Sequence, residues 1–295
     1  MIAITGSNGF VGKNCVEYLQ KKYKIFKVNR QFDVKNNISA YIHLAGKAHD
    51  LKNVSNSKEY YEVNTELTKK IFDSFLESNA KVFITLSSVK AVADEFKFIL
   101  KEDYFPNPNT HYGKSKLQAE QYILSQNVPI GKRVFILRPC MIHGPGNKGN
   151  LNLLYKLVSK GIPWPLGAFE NKRSFCSIDN LLFIIKELIE RDDIPSGVYN
   201  VADDQALSTN ELISILAKSQ NKKPKIWNVN KCLIQFFSKS GDVLRLPLTT
   251  ERLQKLTESF VVSNQKIKSA IRKDLPVSAK EGLLKTFNSF CTNAQ

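Results

Sequence analysis

Residues 5–12 read Thr5-Gly6-Ser7-Asn8-Gly9-Phe10-Val11-Gly12, a G-x-x-G-x-x-G run. It follows the apolar run Met1–Thr5 and opens a segment, Gly12 to Lys22, with Val16 and Leu19 on one face. A glycine trio alone is weak evidence. Placed between a strand and a helix, it reads as a dinucleotide-binding loop. Gly6 permits the tight turn, Gly9 lets the backbone approach a pyrophosphate, and Gly12 lets the helix pack close to the sheet. The helix N-terminus offers free N–H groups and the positive end of its dipole to the phosphates. Ser7, Asn8, Phe10 and Val11 complete the cofactor-binding loop.

Outward from this loop, short apolar runs alternate with helical patterns. Ile25–Val28, Ala40–Ala45, Lys81–Leu86 and Arg133–Leu137 read as strands. Lys58 to Ser78 carries helical periodicity through Val63, Leu67, Ile71 and Phe75, and His111–Gln126 also reads as helix. That alternation predicts an α/β fold, a doubly wound parallel Rossmann sheet covered on both faces. Past residue 140 the rhythm changes. Short helices at Leu151–Lys160, Asp179–Arg191 and Thr209–Lys218 alternate with proline-bearing loops. We expect a dinucleotide domain over 1–140, its sheet completed by parts of 175–205, and a smaller α/β substrate lobe over 141–295.

The end of the second strand bears on cofactor choice. An acidic residue there binds a ribose 2′-OH, and a basic one suits a 2′-phosphate. The chain reads Val28-Asn29-Arg30, with no carboxylate before Asp33. Arg30 is able to pair bidentately with a phosphate, which favours NADP over NAD. Asp33 and Val34 fall where they would meet the adenine. Leu44-Ala45-Gly46 ends the third strand and leaves room for a ribose and phosphate beside the backbone.

Tyr112 and Lys116 stand four apart within a helical pattern, so their side chains share a face. A phenol titrates at roughly 10, and a neighbouring ammonium should lower that value. Tyr112 would then exchange a proton with a substrate oxygen as hydride moves. The strand KVFITL ends in Ser87-Ser88, and Ser88 lies 24 residues before Tyr112. Ligands bind at strand carboxyl ends in such sheets. Ser88 is therefore the candidate third member, with Ser87 as the fallback if the alignment slips by one, and otherwise a cofactor contact.

Composition narrows the classes. The 295 residues are 42% hydrophobic, enough for a sizeable core. No run approaches the ~20 apolar residues of a membrane helix, and the N-terminus lacks signal-peptide character. We expect a cytoplasmic protein with no membrane partner. Five scattered cysteines and four histidines form no C-x-x-C or H-x-x-x-H pattern, so no metal is expected. The net charge is +16. Lysines sit singly or in pairs such as Lys222-Lys223, without an Arg-rich block or interleaved aromatics. That reads as a solvated surface rather than a nucleic-acid interface, and its field attracts anionic substrates.

Together these motifs resemble the extended short-chain dehydrogenase/reductase family, in its nucleotide-sugar epimerase, dehydratase and ketoreductase branch. TGSNGFVG, YIHLAG, EYYEVNTELTKKIFD, TLSS, YGKSK, LRPCMIHGPG and PLGAFENKRSFCSIDNL carry the resemblance across nearly the whole length. It implies a triad of Ser88, Tyr112 and Lys116, with Lys116 also on the nicotinamide ribose. It implies a structural role for Asn64 and brings Pro139 to the nicotinamide. Asn147, Arg173, Arg245 and Arg252 are its candidates for the substrate diphosphate. The chain departs from the family's dehydratases. Val89-Lys90-Ala91 stands where they carry an acidic pair, which disfavours loss of water. The second strand is followed by a short link rather than a full helix.

The resemblance implies oxidoreduction at C4 of a nucleotide-linked, UDP-type hexose. Arg30 and the missing acidic pair favour a 4-ketoreductase of a UDP-6-deoxy-amino sugar. A UDP-sugar 4-epimerase with tightly held NAD is the competing outcome. A non-catalytic cofactor-sensing protein is the alternative of another class, and the presence of both Tyr112 and Lys116 weighs against it. A homodimer through helices 58–78 and 111–126 is the assembly the resemblance implies.

Overall fold

A computed structural model describes residues 1–28, 37–47, 57–147, 149–244 and 249–292. In chain order its first half runs β1 (Ile2–Thr5), α1 (Phe10–Leu19), β2 (Ile25–Val28), β3 (Ala40–His43), α2 (Ser57–Tyr61), a π turn (Glu62–Glu66), α3 (Leu67–Glu77), β4 (Val82–Leu86), a 3-10 turn (Val89–Ala91), β5 (Ile99–Leu100), α4 (His111–Ser125) and β6 (Arg133–Pro139). There follow β7 (Met141–His143), α5 (Asn150–Ser159), β8 (Phe175–Ser177), α6 (Ile178–Glu190), β9 (Gly197–Val201), α7 (Thr209–Ser219), α8 (Lys231–Leu244), α9 (Thr250–Thr257), β10 (Val261–Val262), α10 (Gln265–Ile271) and α11 (Ala279–Thr292).

The central sheet has six parallel strands in the order β2-β1-β3-β4-β6-β9. The strands are apolar on both faces because helices cover both. Ile2, Ile4, Ala40, Ile42, Val82, Ile84, Phe135 and Leu137 point to the side of α1 and α6. Their alternate neighbours Ala3, Tyr41, Phe83, Val134 and Ile136 point to the side of α3 and α4. Phe83 there packs edge-on against Phe72, ring centroids 4.9 Å apart. A third apolar cluster, away from the sheet, joins α5, α7, α9 and α11 through Leu151, Leu216, Leu253 and Phe287.

The chain leaves β1 on one side for β2, then crosses to the other side for β3. The switch point thus lies between β1 and β3, where Thr5 stands in register with His43. In open parallel sheets a ligand crevice forms at such a point, outside the strand carboxyl ends.

Two expected elements differ. The third strand stops at His43 rather than Ala45, because the Leu44 and Ala45 N–H groups donate to Thr5 Oγ1, at 3.2 and 3.1 Å, instead of to a strand. The helix expected over 58–78 is interrupted by the π turn, whose extra residue frees Asn64 for contacts outside the helix. Such bulges cluster at functional sites.

Candidate active site

The glycine loop is built as the spacing predicts. Gly6 has φ +66, and a Cβ on it would fall 2.5 Å from Ala45 N. A Cβ on Gly12 would fall 2.1 Å from Gly6 O. The loop after β1 therefore presses against the loop after β3 and under the start of α1. Gly9 caps α1 with no side-chain bond, so the first-turn N–H groups stay open to an anion. A bare backbone cradle at a helix N-terminus fits a pyrophosphate. A side chain at Gly144 would reach Phe10, which puts the segment after β6 and Pro139 over the same loop. Arg30, Asp33 and Val34 lie outside the described residues.

Beneath the cradle runs a buried hydrogen-bonded chain. Thr5 Oγ1 lies 2.7 Å from His43 Nδ1, His43 Nε2 lies 2.9 Å from Thr68 Oγ1, and Thr68 Oγ1 donates to Asn64 O at 2.7 Å. Since Thr5 Oγ1 already accepts two N–H groups, its hydroxyl donates to Nδ1 and the imidazole carries its proton on Nε2. Burial and the nearby Lys116 hold His43 neutral, its pKa down to about 3. Asn64 Oδ1 accepts from Lys47 N at 2.8 Å, and Asn64 Nδ2 donates to Ser115 Oγ at 3.0 Å. Asn64 thereby ties the loop carrying Leu44, Ala45 and Gly46 to α4. The sequence marks Asn64 only through the family resemblance. Nothing local predicts the Thr5–His43–Thr68 chain.

The Tyr–Lys face arises at the start of α4. Thr110 Oγ1 accepts from Gly113 N, and Asp94 accepts from Asn109 N at 2.7 Å. A Cβ on Gly113 would fall 2.3 Å from Lys90 O, so only glycine lets α4 settle on the 3-10 turn. Ser88 caps that turn, its Oγ accepting from Lys90 N at 3.2 Å. This packing brings Ser88 into hydrogen-bond contact with Tyr112. Ser87 points elsewhere. Its buried Oγ has no hydrogen-bond partner among the described residues and lines a cavity of about 10 Å³ with Thr85, Lys116 and Glu120. Ser88, not Ser87, is the serine placed on Tyr112.

Lys116 Nζ donates to Leu86 O at 2.9 Å, and a Cβ on Gly46 would fall 3.0 Å from that nitrogen. The ammonium thus sits between the carboxyl ends of β3 and β4. Burial pulls its pKa down to about 8, opposed by Glu120. Glu120 in turn receives Arg138 Nε at 3.0 and 3.1 Å, with both side chains buried.

The expected lowering of the Tyr112 pKa is not what the protein alone produces. Burial of the phenol raises it, the Ser88 hydrogen bond lowers it less, and Tyr60 adds to the rise. The Tyr60 ring meets Tyr112 edge-on, centroids 6.2 Å apart. Sequence spacing places the ammonium on the right face, but it does not reveal how deeply the phenol is buried.

Arg173 bridges to Leu207 and Phe260 through its backbone and donates from Nη1 to Lys255 O. Its charge reaches Lys90, which stacks 4.8 Å from the Phe260 ring. Lys90, read in the sequence only as a missing carboxylate, therefore adds a second cation near Arg173. Asn147 closes its own loop, its N–H donating to Gly144 O at 3.1 Å. Arg252 is exposed on α9, one turn before Lys255. Arg245 lies outside the described residues. Among the described residues no group of His, Cys, Asp or Glu is arranged to hold a metal.

A model of the NAD dependent epimerase/dehydratase family matches residues 2–202. A UDP-glucose 4-epimerase of Vibrio cholerae is 32% identical over 284 residues, covering 85% of this chain and 86% of that protein. An N-acetyl-alpha-D-glucosaminyl-diphospho-ditrans,octacis-undecaprenol 4-epimerase of Escherichia coli O157:H7 is 29% identical, covering 75% and 73%. The crystal structure of UDP-N-acetylglucosamine 4-epimerase from Bacillus cereus superposes with a TM-score of 0.77 at 19% identity, covering 99% of both chains, and so shares the fold.

Proposed function

The chain belongs to the NAD dependent epimerase/dehydratase family, and from that premise we propose that it moves a hydride at C4 of a nucleotide-diphosphate hexose. The observation that carries this reading is the Ser88–Tyr112 hydrogen bond beside Lys116, at the strand carboxyl ends facing the glycine cradle.

Gly6, Gly9, Gly12 and the N-terminus of α1 would hold the pyrophosphate of NAD(P), and Lys116, reaching Gly46, would hold its nicotinamide ribose. The bound dinucleotide supplies the hydride acceptor or donor. Tyr112 exchanges the proton of the sugar's C4 oxygen, and the Ser88 hydroxyl orients that oxygen and the phenol together. The Lys116 ammonium offsets the charge of a phenolate. Arg173 and Lys90 meet the substrate diphosphate. The choice between NAD and NADP turns on Arg30.

A UDP-hexose 4-epimerase is the reading favoured by the 32% identical relative. The second reading is a 4-ketoreductase of a UDP-6-deoxy-amino sugar. It is supported by Tyr112, whose raised pKa keeps it protonated and ready to donate to a ketone, and by Lys90 in place of an acidic residue. One experiment separates them. Purified protein is given UDP-hexoses and, separately, a UDP-4-keto-6-deoxy sugar with NADPH, while absorbance and C4 configuration are followed. C4 inversion without net cofactor change marks the epimerase. Stoichiometric NADPH loss marks the reductase. Neither reaction in either mixture sinks the proposal.

A further inference from the structure

The 225–228 segment pairs with 164–166 through the bridges Trp164–Ile226 and Leu166–Asn228. Ile226 is half-buried against the body, while Lys225, Trp227 and Asn228 are exposed, Trp227 by 59%. Beside Lys225 a groove of about 450 Å³ is lined by Lys160, Lys222, Lys223 and Lys225, with Ile162 at its edge and no carboxylate in its wall. None of these four lysines makes an ion pair with the described residues. Two of them lie against carbonyls, Lys222 on Ser159 O and Lys225 on Gly161 O. Folding brings Lys160 to the local run Lys222, Lys223 and Lys225.

Helix α8 begins four residues after Trp227. At 100° per residue, its body-facing seam is narrow, consisting of Ile234, Ser238 and Gly241. Leu233, Phe236 and Phe237 occupy the adjoining arc and are 48%, 65% and 52% exposed. Lys231, Gln235, Lys239 and Asp242 lie on the remaining arc and are exposed, with Asp242 held by Thr250. The apolar stripe of α8 is therefore much wider than the surface the protein covers.

We propose that this face, the lysine groove with Trp227 and the exposed side of α8, docks on an anionic phospholipid bilayer. Phosphate headgroups complement four lysines that make no ion pair with the described residues. Phe236, Phe237, Leu233 and Trp227 enter the boundary between headgroups and acyl chains, and the lysine stems let the ammonium groups stay in the headgroup layer. The sequence expectation of no membrane partner rested on the lack of a spanning segment, a test that an interfacial helix escapes. A second copy of the chain is a poorer occupant, since a symmetric contact would set lysines against lysines.

The full-length protein should co-sediment with vesicles of phosphatidylglycerol and phosphatidylcholine, and far less with phosphatidylcholine alone. F236S/F237S should lower the partition coefficient roughly tenfold or more. K222E/K223E should lower it by a similar factor and flatten its salt dependence. Both variants should keep wild-type melting temperature and turnover of soluble nucleotide sugar. If F236S/F237S proves unstable, K222E/K223E on the exposed loop still decides the matter. Equal sedimentation with both vesicle types overturns the proposal, and so do variants that bind like wild type. Conversion of a dimer to a monomer by F236S/F237S, read by size-exclusion chromatography with light scattering, would also overturn it and assign the face to self-association.

Discussion

Replacing Lys116 with methionine should abolish turnover and yet stabilise the fold at neutral pH. The side chain is 8% exposed, and its pKa falls from the ordinary 10.5 to about 8. That depression corresponds to about 3 kcal/mol by which folding disfavours the charged ammonium, net of Glu120. The sign follows from proton counting. Between the two values the unfolded chain keeps the proton and the folded protein sheds it, so wild-type stability rises with pH across that window. Methionine is apolar and close in length, and it lacks both the cost and the pH dependence. It also leaves Leu86 O without its donor, a loss of about 1 kcal/mol. The net gain is about 2 kcal/mol at pH 7, shrinking to about zero near pH 9.5. Urea midpoints of both proteins at the two pH values give the comparison. Burial of Tyr112 has the opposite sign but acts only above its ordinary 10.0, outside the range measured. A K116M protein less stable than wild type at pH 7, or a gap that does not change with pH, would refute the reasoning. Lys116 would then not be held at the expense of stability.

Tyr112→Phe keeps the ring contact with Tyr60 and removes only the hydroxyl. kcat should fall about 10²–10⁴-fold with little change in dinucleotide affinity, measured by steady-state kinetics and calorimetry. Gly12→Ala forces a methyl against Gly6 O; dinucleotide binding should weaken well beyond the modest change expected of a tolerated Gly→Ala, and calorimetry reads it. Arg138→Met strands Glu120 in the core at a cost of about 3–5 kcal/mol, and the double variant E120L/R138M should recover most of it. Denaturant unfolding checks both, and a single variant near wild type would show that the pair is better solvated than its burial indicates.

The parts of the site that sequence made legible are those set by local covalent pattern. Gly6, Gly9 and Gly12 stand where a backbone must pass within contact distance of another backbone, and only glycine permits that. Tyr112 and Lys116 share a face because a helix returns every fourth side chain. The apolar runs fixed the order and the two-sided burial of the strands for the same reason. What tertiary structure decided depends on partners distant in sequence. The Gly113 contact with Lys90 O selects Ser88 over Ser87. The π turn turns Asn64 toward Lys47 and Ser115. Arg138 finds Glu120, burial reverses the expected direction of the Tyr112 pKa, and pairing of 225–228 with 164–166 sets Lys160 beside the Lys222–Lys225 run. Each of these effects comes from desolvation or from contact across the fold, and neither is encoded in the spacing of neighbouring residues.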